Sequence, residues 1–240
     1  MKKWATALLA GVISFMAVAW IAHRSPDKTD DEQFDAIVST MPTYQVLKEQ
    51  EPQLWDAIRT RALTMQKDGK TEQQIVDEIQ PQVLALQMQR LQTAPDKDVV
   101  AYMKINMEQT AAVQKVSDDD CYRFLFPEVK GGINPVRILS QELFQRRMAV
   151  DAAMMRAAVG PDKHTVTPQE RAHAQQDIKP LALQLTQRYG ENMEIMSNPR
   201  SGVGKEKITC NLVQDLWNSV LALPENKAAG VIRFAIASTE

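Results

Sequence analysis

A chain of 240 residues with 44% hydrophobic and 24% charged residues can bury a full core without a structural metal or a dense set of disulfides. Its formal net charge of -2, spread with no long acidic or basic block, excludes the clustered Lys and Arg of a nucleic-acid groove. Aromatics make up only 6%, β-branched residues are scattered, and the helix formers Gln and Met are prominent, so composition leans toward an all-α fold.

Met1-Lys2-Lys3 is a short positive start, and Trp4 to Ala22 then runs without a charge. About 18 or more uncharged, mainly apolar residues read as a membrane-spanning helix. Ala17-Val18-Ala19 has the small-x-small form of a signal-peptidase site. Trp4 and Trp20 sit where an uncleaved anchor would place its interfacial aromatics, and the bulk of Trp20 just after that site favours the anchor. Lys2, Lys3 and the α-amino group outweigh His23 and Arg24, which keeps the N-terminus in the cytoplasm and sends the rest across. The expectation is an exported protein on the periplasmic side of an inner membrane. Residues 1–23 are its signal-anchor or signal peptide, 24–33 a linker, and 34–240 a single helical domain with a candidate hinge at 117–133.

Beyond the linker the apolar residues recur at helical spacing. Phe34, Ile37, Val38 and Met41 form a first stripe, which Pro42 is expected to end before a short helix through Tyr44, Val46 and Leu47. Pro52 opens the next helix, carrying Leu54, Trp55, Ile58, Ala62, Leu63 and Met65, and Gly69 stops it. Thr71 to Gln74 reads as a capping box ahead of Ile75, Ile79, Val83, Leu86 and Leu91, with a kink expected at Pro81. Pro95 and Asp96 open a helix through Val99, Val100, Met103, Met107 and Val113.

Ser117 to Gly132 breaks the pattern with three acids, an aromatic group around Cys121 and a glycine pair, and reads as a connector. Asn134 and Pro135 should cap a helix through Ile138, Leu143, Met148, Ala152 and Met155 that ends at Gly160. Thr167-Pro168-Gln169-Glu170 combines a capping box with proline at the first helical position, ahead of a helix toward Gly190. Ser197 to Lys207 is loop-like, Cys210 opens a helix through Leu216 and Val220, and Pro224 separates it from a last one through Val231 and Ile236. The fold is therefore an irregular all-α bundle of about eight to ten helices after the N-terminal membrane or signal helix.

Cys121 and Cys210 have no C-x-x-C or metal-type spacing. In an oxidising compartment such a pair forms one disulfide, worth up to about 4–5 kcal/mol in the chain-entropy account. It would tie the connector to a late helix and forbid either cysteine from acting as a nucleophile.

The motifs that look chemical are incomplete. Ser201-Gly202-Val203-Gly204-Lys205-Glu206 has the tail of a phosphate loop, but Pro199 and Glu206 stand where glycine and a hydroxyl residue are needed. Glu170 and His173 form one E-x-x-H, whereas a carboxylate-bridged metal bundle needs a second pair, and the chain has three histidines in all. Glu170 is expected in its capping box and His164 as an exposed linker residue. Asp118, Asp119 and Asp120 lack the spaced D-x-D-x-D-G oxygens of a calcium loop. The methionines fall mainly on the apolar stripes and read as core. No catalytic, cofactor or metal residue is assigned.

The functional expectation is a non-catalytic envelope protein acting through a protein partner, as adaptor, accessory subunit or chaperone-like factor, with neither nucleic acid nor nucleotide as ligand. One alternative is an enzyme built from scattered carboxylates, marked by a deep pocket holding a carboxyl of strongly raised pKa. Another is a small-molecule or lipid carrier with an apolar cavity between helices.

Overall fold

The computed structural model describes residues 32, 34, 35 and 41–237, so the anchor or signal segment 1–23 and nearly all of the linker lie outside it. From Pro42 to Ala237 the described residues form ten α-helices and three 3-10 turns, and no described residue lies in a strand. They are α1 (Pro42–Gln50), α2 (Pro52–Lys67), α3 (Glu72–Thr93), α4 (Asp96–Val116), α5 (Asp118–Leu125), α6 (Pro127–Lys130), α7 (Gln141–Ala157), α8 (Pro168–Tyr189), α9 (Glu206–Leu221) and α10 (Glu225–Ala237). Among the described residues no helix is long and apolar enough to cross a membrane.

Local chemistry sets most of the boundaries. Pro42, Pro52, Pro127 and Pro168 each occupy a first helical position, where the missing N–H costs nothing. Pro42 thus begins α1 rather than merely ending the stripe before it. The capping box at α3 is complete, with Gln74 N–H donating to Thr71 Oγ1 (3.3 Å) and Thr71 N–H to Gln74 Oε1 (3.0 Å). Beyond α2, Gly69 takes a φ of 70°, a left-handed turn that any Cβ would strain. Helices α3 and α8 run on through Pro81 and Pro180.

Two expectations need correction. The segment 117–132 is helical rather than an open connector: Ser117 accepts from the N–H groups of Asp119 and Asp120, and the three acids occupy the positive end of α5. An acidic run after a serine is a helix start, and the glycine pair drew attention from it. Conversely, Pro135–Arg137 is an isolated 3-10 turn, and α7 begins only at Gln141 behind a Ser140 cap.

Helix α4 is the centre of the bundle. It packs on α7 to one side and on α5, α9 and α10 to the other. Val99, Tyr102, Met103, Ile105, Met107 and Val113 are all buried. Around it α1, α2, α3 and α7 form an N-terminal layer, and α5, α8, α9 and α10 a C-terminal one. Methionines 103, 107, 148, 154, 155 and 196 are buried in a common apolar cluster, as their stripe positions implied. The Cys121–Cys210 disulfide is present, with Cα atoms 6.3 Å apart, and joins α5 to α9. Both cysteines are fully buried.

Three buried arginines stitch these layers. Arg90 of α3 donates to Gln50 Oε1 (3.0 Å) and the Met155 carbonyl (3.2 Å) and pairs with Glu51, fastening the α1–α2 corner and the end of α7. Arg147 of α7 is wholly enclosed: its Nε lies 2.7 Å from Asp151 Oδ1, its Nη1 donates to Asn106 and Gln109 of α4, and its guanidinium stacks 4.6 Å from the Tyr102 ring centre. Gln87 of α3 donates to the other Asp151 oxygen (3.3 Å). Burial pushes the Asp151 carboxyl up and Arg147 pulls it part of the way back, whereas burial would lower Arg147 and Asp151 together with Tyr102 raises it. Burial also drives the Tyr44 and Tyr102 hydroxyls far above the ordinary tyrosine value. Arg233 of α10 serves the third junction.

Replacing either partner of the Arg147–Asp151 pair leaves the other charge buried and uncompensated. Arg147→Met and Asp151→Leu should each lower unfolding free energy by about 3–5 kcal/mol. The double variant Arg147→Met with Asp151→Leu should lose clearly less than the two singles together, read by urea unfolding. Gly202 is the second sensitive point, because an added Cβ would stand 2.6 Å from Thr209 Oγ1 and 2.9 Å from Tyr122 Cε2. Gly202→Ala should cost about 1–3 kcal/mol of overpacking in the same measurement.

Candidate functional site

Helices α8 and α10 lie antiparallel, as their contacts show: Asp177 meets Lys227, Ala174 meets Gly230, and Glu170 meets Arg233. The small Ala174 and Gly230 stand at the middle of the crossing. Along this seam runs an open cleft of about 550 Å³, lined by Asp96, His164, Thr167, Gln169, Glu170, His173, Ala174, Gln176, Asp177, Asn226, Lys227 and Gly230.

The floor of the cleft is a chain of charged hydrogen bonds. Glu170 Oε2 is 2.7 Å from His164 Nε2, and Arg233 Nη1 donates to Glu170 Oε1 at 3.0 Å. Arg233 Nη2 donates to Asp96 Oδ1 (2.7 Å) and to the Ala94 carbonyl (2.6 Å). The backbone anchors both ends: His164 N–H donates to the Thr93 carbonyl (2.7 Å), and Gln92 donates to the Arg233 carbonyl (3.1 Å). The α7–α8 loop and the helices α4, α8 and α10 thus meet at one guanidinium that is 1% exposed. At the far end Lys227 Nζ donates to Asp177 Oδ1 at 2.8 Å.

Partial burial alone would raise the Glu170 carboxyl, but His164 and Arg233 overcome it and hold the group below the usual glutamate range. The cleft therefore presents a fixed carboxylate, already spoken for on both oxygens. Above the floor Gln169, His173, Gln176 and Asn226 have no hydrogen-bond partner among the described residues. The walls offer three free carboxamides and an imidazole over a rigid ionic base.

Several sequence expectations resolve here. Thr167 does cap α8, accepting from Glu170 N–H at 3.1 Å, but the Glu170 carboxylate turns away to His164 and Arg233, so only half of the capping box forms. His164 is held in the cleft floor rather than free in the loop. Glu170 and His173 do not join further ligands: among the described residues no three of His, Cys, Asp and Glu are placed to hold a metal. The cleft itself was missed. Its signal was Arg233 inside the apolar run Val231 to Ile236, a charge that must find partners if that helix is buried.

In the glycine-lysine loop the chain supplies its own partners for the groups a phosphate loop uses. Gly204 N–H donates to Glu206 Oε1 at 3.0 Å, and Lys130 donates to the same oxygen at 3.0 Å. The Gly204 hydrogen bond, aided by Lys130, holds Glu206 below its ordinary range despite partial burial. A carboxylate of the chain fills the position an anion would take, and Lys205 is turned to Asn192 (3.0 Å). The far end of α8 is tied to α9, where burial and Asp215 push the Tyr189 hydroxyl up to about 12. No family model, curated protein or solved structure matches the chain.

Because Glu170 is depressed in the folded state, it stabilises the fold fully above the ordinary glutamate range, and that contribution fades as pH falls through its lower folded value. Glu170→Gln should therefore lower stability by about 1–3 kcal/mol at pH 7. The gap from the parent protein should close on acidification to about pH 3, followed by denaturant unfolding across pH.

Proposed function

We propose that the chain is a non-catalytic exported envelope protein, held at the membrane by residues 1–23 and acting through protein–protein interaction as adaptor, accessory subunit or chaperone-like factor. The observation that carries this reading is the state of the Glu170 carboxylate. An acid or base for catalysis needs a pKa moved toward neutrality, and Glu170 is moved the other way and engaged on both oxygens. A locked charge beneath free amides is suited to recognition by hydrogen bonds. Among the described residues burial raises two carboxyls, Asp151, which is fully enclosed against Arg147, and Asp98, which does not line the cleft.

The exposure of α8 supports the same reading. Of its 22 residues only Ala174 and Leu185 are buried, so a long rigid face stands clear of the body, and Leu183 on it is 62% exposed. Export and anchoring rest on the positive start and uncharged run of the sequence, and a protein working there would meet partners on the oxidising side, in keeping with its one disulfide.

The test is site-specific photocrosslinking in cells with full-length protein, placing the crosslinker at Leu183 of α8 and, as control, at Arg59 of α2. One envelope protein captured in near-equal amount from α8 and not from α2 is the expected result. Repeated capture of many unrelated exported chains narrows the role to chaperone-like. No reproducible adduct from α8 removes the reading.

A further inference from the structure

The α8–α10 cleft has the make-up of a site with a ligand of its own. Its floor is held by ion pairs, with Asp96 and Glu170 on Arg233 and Asp177 on Lys227, although the buried Arg233 Nε has no hydrogen-bond partner. Both Nη groups of Arg233 are fixed by Glu170, Asp96 and the Ala94 carbonyl, so the floor keeps its shape without a ligand. Its rim is the reverse: the amides of Gln169 and Gln176 on one wall and Asn226 on the other carry donors and acceptors with no partner among the described residues.

A primary carboxamide carries a carbonyl acceptor and two N–H donors, so it can accept from a peptide N–H and donate to a peptide C=O. From Thr167 to Asp177 the wall is about 15 Å long at helical rise, room for four to five residues of extended chain at about 3.3 Å each. Apart from Ala174 and Gly230 the lining residues carry polar side chains, which supply hydrogen-bonding groups along the wall. Counting the Arg233 beneath, the cleft holds one more carboxylate than fixed cation, which disfavours phosphate and acidic segments.

We infer that the cleft between α8 and α10 binds an extended, uncharged or mildly basic peptide segment of a partner protein, read through Gln169, Gln176 and Asn226. This rests on the protein-interaction reading above and supplies its mode: backbone hydrogen bonds to side-chain amides over a fixed anionic floor. His173 stands beside the same path as a further donor or acceptor.

The experiment is fluorescence polarisation with full-length protein in detergent. Two labelled hexapeptides are compared, one of glycine, serine, glutamine and lysine, the other with glutamate in place of lysine. The neutral-to-basic peptide should bind saturably, with a Kd below about 1 mM, and the acidic one at least several-fold more weakly. Gln176→Ala with Asn226→Ala removes two exposed, unpartnered amides and should weaken binding about 10-fold at unchanged thermal stability. Gln187→Ala, far along α8, should leave binding unaltered. No saturable binding of the basic peptide, equal binding of the acidic one, or equal affinity of the double variant overturns the assignment. The photocrosslinking separates the two levels: a partner still captured in full by the Gln176→Ala and Asn226→Ala protein keeps the interaction role and removes the cleft, whereas peptide binding without any captured partner keeps the cleft and removes the role.

Discussion

Guanidinium burial is the constraint on which this structure depends. An arginine cannot shed its charge in a protein and brings five donors in a planar fork, so once enclosed it dictates what must surround it. Arg147 is completely enclosed, and its neighbours are set accordingly: an aspartate one turn along its own helix, two amides on α4, and the face of Tyr102. These contacts fix the register of α7 against α4. Arg90 and Arg233 repeat the device at two other junctions, each using a carboxylate and a backbone carbonyl as paired acceptors. Apolar packing would hold such helices together. The arginines make one arrangement of them much better than its neighbours, a role of buried polar groups that is known in some proteins.

The helices were largely legible in the sequence because their signals are local. A proline at a first turn, a threonine or serine three residues before a bonded amide, and apolar residues every three or four positions each act over less than two turns. Thus α2, α3, α4 and α10 lie close to where the stripe places them. The failures were local as well. Ser117 to Gly132 reads as a connector in the sequence, although acids after a serine are what a helix N-terminus attracts. The disulfide was legible for a different reason, because two cysteines allow only one pairing.

The cleft was not legible because it is made by residues far apart in the chain. Asp96, His164, Glu170 and Arg233 span more than half of the sequence, and nothing near any of them names the others. What could be read was that something was required. Arg147 and Asp151 both fall on the buried stripe of Phe144, Met148, Ala152 and Met155, and Arg233 interrupts an apolar run. A charge on a buried face demands partners, but the identity of those partners belongs to topology. Glu170 illustrates the limit well. Its spacing from Thr167 promised a reciprocal cap, and a stronger pair of charges won the carboxylate.

Helix α8 has a consequence for motion. It contributes two fully buried side chains and the partly buried Ile178, Leu181 and Tyr189 to the core, and it is tied by polar contacts to Arg233 and His164 at its start, Lys227 midway and Asp215 of α9 at its end. Detaching it leaves the densely buried α4 core in place, so the free energy of that opening lies below that of global unfolding. The helix and the loop before it form a cooperative unit that can lift as one piece while α4 and the disulfide stay in place. Its amide hydrogens would then exchange with solvent long before those of α4, and a ligand in the seam between α8 and α10 would slow that exchange without touching the rest of the bundle.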